Sequence, residues 1–134
     1  NMITFHLEVI KDKEKIYEMI KLVKDNNCKV GIAIKPNTEV KEIYEFLPYI
    51  NTVLVMTVEP GKGGQALIPE TLRKIRILKE YLNQHNLDTY IEADGGINLD
   101  TIEEVNDAGV DIAVVGNGIL KTNNYKATVS KLKN

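Results

Sequence analysis

The sequence contains no tryptophan, only two phenylalanines and a single cysteine, Cys28, in 134 residues. One cysteine cannot form an internal disulfide, so a disulfide-stapled scaffold is excluded and a reducing compartment, the cytoplasm, is expected. Aromatic residues are few, although hydrophobic residues make up 43% of the chain. This balance predicts an aliphatic core, which suits a parallel sheet better than an aromatic-rich β-sandwich.

Long hydrophobic runs and a strong excess of charge are also missing. No apolar stretch reaches the length that crosses a membrane. The net charge is −2 and the isoelectric point is near 5.7, so neither a nucleic acid nor an anionic membrane is expected as a partner. The length suits one domain or part of one.

Five short β-prone runs alternate with helical patterns along the chain. The order is β-α-β-α-β-α-β-α-β-α, and each strand–helix unit takes roughly 25–30 residues, the size of a βαβ repeat. Strands are expected at residues 3–8, 29–34, 52–58, 89–93 and 111–115. Two architectures fit this order: an open doubly wound sheet, or consecutive units of a (β/α)8 barrel.

Helix boundaries are predicted from residues that favour helix ends. Asp12 is expected to cap the first helix, and Thr38 a second helix that ends at Pro48. Pro69 suits the first turn of a third helix. Asn98 or Asp100 is expected to cap a fourth, and Gly109 to end it. The lysine-rich tail predicts a weak final helix.

Three glycine-containing motifs follow predicted strands, at residues 59–65, 94–96 and 116–118. Carboxyl ends of parallel strands gather at one edge of a sheet or barrel, and functional loops collect there. Glycine turns that open into helices offer free N–H groups and the positive end of a helix dipole to an anion. The motifs therefore indicate a phosphate-binding site, although any one of them could be only a tight turn.

Asp94 ends the fourth predicted strand, beside this expected phosphate site. A carboxylate there would be repelled by a phosphate unless it served as a metal ligand or a proton-transfer group. The alternative is a helix N-cap or a turn former. Lys62 is either a phosphate clamp or a mobile surface lysine.

The chain resembles the ribulose-phosphate 3-epimerase family at these residues. The strings ITFHLE at 3–8 and GIAIKP at 31–36 are similar to that family's fourth and fifth barrel strands. The most specific match is VLVMTVEPGKGGQ at 53–65, which resembles the sixth strand and its loop. The strings IEADGGI at 91–97 and VVGN at 114–117 resemble the seventh and eighth.

The resemblance implies an α/β protein with the (β/α)8 TIM-barrel fold, of which residues 1–134 are the C-terminal part. It begins at the fourth strand, so the last five β/α units are expected here and the first three are missing. Met2 is then expected to be an internal residue rather than a start.

The implied activity is the 3-epimerisation of D-ribulose 5-phosphate to D-xylulose 5-phosphate in the pentose phosphate pathway. Two carboxylates transfer protons on opposite faces of an enediolate, and a divalent metal (Zn, Fe, Mn or Co) stabilises it. By resemblance, Asp94 is one proton-transfer group and one metal ligand. The family's second aspartate and both histidine ligands lie on strands outside this chain. Neither His6 nor His85 occupies a matching position.

The resemblance also implies residues that bind the sugar phosphate. Met56 would line the site, the loop at 61–64 would cover the substrate, and the later glycine turns would hold the phosphate. Two residues depart from the family pattern: Lys62 replaces an aromatic residue and Asn117 replaces a serine. The full set is Met56, Gly61, Lys62, Gly63, Gly64, Gly95, Gly96, Gly116 and Asn117.

Two alternatives remain beside the pentulose epimerase. One is a 3-epimerase for a hexulose 6-phosphate. The other is a non-catalytic, phosphate-binding half-barrel that acts through a partner or by self-association. An open half-barrel exposes sheet edges and an apolar interior, and family members commonly form homo-oligomers, so a homo-oligomer is expected.

Overall fold

A single mixed sheet of six strands organises the chain. The computed structural model describes residues 1–59, 66–115 and 118–121. The strands lie side by side in chain order; the first five are parallel, and the sixth is antiparallel to the fifth. They are β1 (Met2–His6), β2 (Lys29–Ile34), β3 (Thr52–Met56), β4 (Tyr90–Asp94), β5 (Ile112–Val115) and β6 (Gly118–Lys121).

Helical segments connect the parallel strands. Three are α-helices: α1 (Lys13–Asp25), α2 (Pro69–Gln84) and α3 (Ile102–Ala108). Three short 3₁₀ helices span Leu7–Val9, Val40–Glu42 and Tyr44–Tyr49. The arrangement is an α/β half-barrel, consistent with a partial barrel. None of the helices in the described ranges has both the length and the apolar character needed to cross a membrane.

The two faces of β3, β4 and β5 differ in burial. Val53, Ile91 and Ala113 have no exposed surface and form part of the aliphatic core under the helices. Their neighbours in the strands, among them Met56 and Asp94, are only partly buried. Successive side chains of a strand point to opposite faces, so this second face remains accessible and carries the polar groups.

Helix α1 begins and packs as predicted. The carboxylate of Asp12 accepts a hydrogen bond from the Glu14 amide at 2.9 Å, which caps the first turn. Ile16, Ile20 and Val23 are buried on one face. The predicted cap is therefore confirmed, and the helix buries one apolar face.

The predictions for α2 and α3 are also largely confirmed. Pro69 opens α2, where its missing N–H is not needed. Gly109 ends α3 in the left-handed conformation, with φ at 108°. The residue at the α3 cap is Thr101 rather than Asn98 or Asp100. Asn98 instead accepts hydrogen bonds from the amides of Asp100 and Thr101 and so stabilises the preceding turn.

The helix predicted between Thr38 and Pro48 is wrong in type. The segment forms two 3₁₀ helices instead. Pro48 lies inside the second, where it offers no N–H and disfavours the α conformation of the residue before it. The Thr38 hydroxyl donates to the Glu8 carboxylate, so the Thr38 side chain bonds a neighbouring segment instead of capping a helix.

The expectation for the last strand is also corrected. The turn at residues 116–118 was predicted to open into a helix, but Gly118 begins β6, which pairs antiparallel with β5. Only two residues separate these strands in the sequence, the commonest hairpin length. The helix predicted for the tail falls on residues 122–134, outside the described part of the chain.

The buried stripe of α2 gives a matched pair of substitutions. Ile75 has no exposed surface, whereas Ile77 in the same helix is 38% exposed. We expect Ile75→Ala to lower the free energy of unfolding by about 2–5 kcal/mol, because it removes buried methylenes and leaves a cavity. Ile77→Ala should change it by less than about 1 kcal/mol. Urea unfolding followed by circular dichroism measures both, and equal losses would contradict this packing.

Candidate active site

The carboxyl ends of three neighbouring strands bring the site residues together. Asp94, the last residue of β4, is in register with Met56 at the end of β3 and with Val114 in β5. Residues in register on adjacent strands point to the same face. Asp94 and Met56 therefore lie side by side on the accessible face.

The turn after β4 requires glycine at both positions. Gly95 has φ at 123° and Gly96 has φ at 69°, conformations that disfavour residues with a Cβ. A Cβ on Gly95 would also collide with Val58, and one on Gly96 would collide with the backbone of Leu67. Successive backbone N–H groups in a turn can form a concavity that binds an anion.

Thr57 is a residue of this site that the sequence did not reveal. It is fully buried directly after β3. Its amide donates to the Asp94 carbonyl at 2.9 Å, and its hydroxyl donates to the Gly95 carbonyl. Its own carbonyl accepts from the Ile68 amide at 2.8 Å. The only sequence signal is a hydroxyl residue at the end of an apolar strand.

Glu92 is a second residue that the sequence analysis missed. It lies two positions before Asp94 in β4, and therefore on the same face. Burial raises the pKa of the Glu92 carboxyl above its usual 4.5, and the nearby negative charge of Asp94 raises it further. The available signal was a charged residue between the apolar residues Ile91 and Ala93 of the strand.

A set of side chains sufficient for a metal ion is not found. In the ranges 1–59, 66–115 and 118–121, His, Cys, Asp and Glu form no group of three that could hold one. Asp94 is present, but a single carboxylate does not make a metal site. His85 ends α2, where it stacks on the ring of Tyr81 with centroids 3.9 Å apart.

The loop that follows β2 also lies at this end of the sheet and is held from two sides. The Glu8 carboxylate accepts the Lys35 amide at 2.8 Å. Lys74 of α2 donates to the carbonyls of Pro36 at 2.7 Å and Thr38 at 3.2 Å. Contacts from the 3₁₀ helix Leu7–Val9 and from α2 thus fix the loop after β2.

A cavity of about 560 Å³ lies apart from Asp94, between the first two strand–helix units. Its lining mixes acidic, basic and apolar side chains, including Glu8, Lys41 and Phe46. Lys13 and Glu45, also in the lining, form an exposed ion pair at 2.9 Å. Opposite charges therefore already neutralise one another here, and the lining favours no particular ligand.

Six of the predicted substrate-binding residues lie outside the described residues. The structure therefore brings together four of the predicted site residues: Asp94, Met56, Gly95 and Gly96. Their roles toward a substrate remain predictions. The six residues that are not described are Gly61, Lys62, Gly63, Gly64, Gly116 and Asn117.

Consecutive parallel strand–helix units with a polar site at the carboxyl ends of the strands place the chain among the α/β proteins. Comparison with known families identifies the family. Residues 1–120 match the model of the ribulose-phosphate 3 epimerase family, and the chain belongs to this family. The resemblance noted in the sequence is therefore confirmed.

Curated relatives support this assignment. The chain is 38% identical over 131 residues to a ribulose-phosphate 3-epimerase of Mycobacterium leprae, covering 98% of this chain and 57% of that protein. It is 39% identical over 133 residues to one of Buchnera aphidicola, covering 99% and 57%. An Escherichia coli relative is 32% identical over 133 residues, covering 99% and 58%. The chain therefore spans little more than half the length of these relatives.

The conformation of the glycine turn predicts that residue 96 must be glycine. We expect Gly96→Ala to destabilise the fold by about 2 kcal/mol or more, because it combines a positive φ with a backbone collision. Gly118→Ala is the matched control, since the nearest atom to its added Cβ is the Val115 carbonyl oxygen at 3.8 Å. It should change stability by no more than about 0.5 kcal/mol. Thermal unfolding of both variants tests this, and a neutral Gly96→Ala would refute the turn geometry.

The raised pKa of Glu92 predicts a pH-dependent stability. Between its usual pKa and its raised pKa, the folded chain holds this proton more tightly than the unfolded chain does. Protonated Glu92 therefore stabilises the folded chain at low pH. This stabilisation is lost as the pH rises from the usual pKa to the raised pKa. Glu92→Gln stays neutral, so it should gain stability relative to wild type as the pH rises from the usual pKa of 4.5 through the raised pKa.

Urea unfolding in chelating buffer across this range measures the difference. Glu103→Gln is the control, because Glu103 is an exposed carboxylate in the first turn of α3. A pH-independent difference between Glu92→Gln and wild type would show that burial of the Glu92 carboxyl does not affect its ionisation.

Proposed function

We propose that this chain supplies the last five β/α units of a (β/α)8 barrel that interconverts D-ribulose 5-phosphate and D-xylulose 5-phosphate. The curated relatives are named as ribulose-phosphate 3-epimerases, which supports this reaction and a sugar-phosphate substrate. The observation that carries the proposal is the position of Asp94. It ends a strand on the accessible face, beside Met56 and directly before the glycine turn.

Asp94 would act as one of the two proton-transfer groups. The proton at C3 of a ketopentose is weakly acidic because the neighbouring carbonyl can accept the electrons as an enediolate. A carboxylate within hydrogen-bonding reach removes or returns that proton on its own side of the sugar. Inversion requires a second group on the opposite side, and we assign that group to the part of the barrel that lies outside these 134 residues.

The glycine turn would bind the phosphate while Asp94 removes or returns the proton at C3. Backbone N–H groups of Gly95 and Gly96 suit an anion because no Cβ blocks its approach. Anchoring the phosphate orients the carbon chain and so fixes which atom faces Asp94, an effect that lowers the barrier by restricting motion before reaction. Met56 would pack against the sugar, and residues 61–64 would cover it.

Metal dependence remains a prediction. A divalent ion would supply positive charge to the enediolate oxygens when bound. The described residues do not fit such an ion by themselves, since no three His, Cys, Asp or Glu side chains among them form a group that could hold one. The remaining ligands would have to come from elsewhere. A cytoplasmic location and a homo-oligomeric state also remain predictions.

The role of Asp94 can be tested in a chimera. The 134 residues would be joined to the part of the Escherichia coli relative that they do not match. We expect this chimera to interconvert the two pentulose phosphates when divalent metal is supplied. Asp94→Asn should lower kcat by about 10²–10⁴-fold, because an amide cannot exchange the C3 proton.

Asp107→Asn is the control, since Asp107 lies exposed on α3, away from the site. It should keep kcat within twofold of the parent chimera. A folded parent chimera that acts only on hexulose 6-phosphates would favour that alternative substrate. An Asp94→Asn chimera with nearly full activity would contradict the assigned role of Asp94.

A further inference from the structure

Three backbone segments meet at Thr57, one of them the site turn. Its amide holds the Asp94 carbonyl, its hydroxyl holds the Gly95 carbonyl, and its carbonyl holds the Ile68 amide. Asp94 and Gly95 belong to the site turn, and Ile68 immediately precedes α2. One buried residue thus connects the end of β3, the site turn and the segment that leads into α2.

The same segments are packed without space between them. Val58, the residue after Thr57, fills the position that a side chain on Gly95 would need. The backbone at Ala66 and Leu67 fills the corresponding position at Gly96. The glycine turn is therefore enclosed by the two ends of the segment that begins at Thr57 and returns at Ile68.

Hydrogen bonds from Thr57 also set the direction of the turn's N–H groups. A trans peptide is planar, and its C=O and N–H point in opposite directions. Because the Asp94 carbonyl points to the Thr57 amide, the Gly95 N–H points away from Thr57. Because the Gly95 carbonyl points to the Thr57 hydroxyl, the Gly96 N–H also points away from Thr57.

We propose that Thr57 is a positioning residue that orients the Gly95 and Gly96 N–H groups toward the substrate phosphate. The phosphate part of this inference rests on the proposed function. Thr57 is fully buried, so it does not touch the substrate and acts only through the turn. The hydroxyl is the essential group: valine has nearly the same shape but donates no hydrogen bond, whereas serine retains the donor.

Amide spectra of the ¹⁵N-labelled 134-residue chain test this directly. Inorganic phosphate is titrated while the Gly95 and Gly96 amide signals are followed. We expect Thr57→Val to shift these two signals in the free chain and to weaken phosphate binding about fivefold or more. Thr57→Ser should stay within twofold of wild type. If circular dichroism shows that the Thr57→Val variant is unfolded, Thr57→Ala is used instead.

Thr89→Val is the matched control. Thr89 is also a buried threonine whose hydroxyl donates to a carbonyl, that of Leu47 at 3.1 Å, but it precedes β4 at the opposite end of the strand. This variant should lose comparable stability without changing phosphate binding. Equal effects of Thr57→Val and Thr89→Val on the glycine signals would reduce Thr57 to a general structural role and overturn the proposal.

The outcomes separate this inference from the proposed function. If wild-type Gly95 and Gly96 signals do not respond to phosphate, the phosphate role fails. The positioning role is then decided by the free-state spectra alone. It stands if Thr57→Val moves the two glycine signals and Thr57→Ser restores them, and it falls if neither variant affects them.

Discussion

Parallel pairing of the strands in chain order is the constraint on which the rest of this structure depends. It places the carboxyl ends of β3, β4 and β5 next to one another. Asp94 and Met56 are 38 residues apart in sequence yet share one register position. The segments that follow these strands are consequently close to one another. A residue that follows one strand can therefore form a hydrogen bond with the turn that follows a neighbouring strand.

Much of the fold could be predicted because its signals are local. The cap at Asp12, the stripe of α2 and the apolar run of β3 are each encoded within a single segment. Predictions were wrong where a longer-range contact decided the outcome. Thr38 bonds Glu8 of the preceding unit rather than capping a helix, and residues 118–121 pair with β5 rather than following it as a helix.

The candidate site likewise contains residues that could be predicted from the sequence and residues that could not. Asp94, Gly95 and Gly96 could be proposed from sequence because three glycine motifs each follow a predicted strand and so fall at one edge of the sheet. Thr57 could not, because its role depends on carbonyls nearly 40 residues away that only the register brings into reach. The raised pKa of Glu92 likewise follows mainly from burial, which a linear pattern does not specify.

The antiparallel strand β6 has a consequence for closure of the sheet. By resemblance β5 is the eighth strand of a barrel, and such a strand completes the ring by pairing with the first. In this structure β6 already occupies the edge of β5 that does not face β4. A closing strand would therefore have to displace β6 and take over its backbone partners. Until then β6 shields that edge of β5, and within the described residues β1 and β6 are the two edge strands of the sheet.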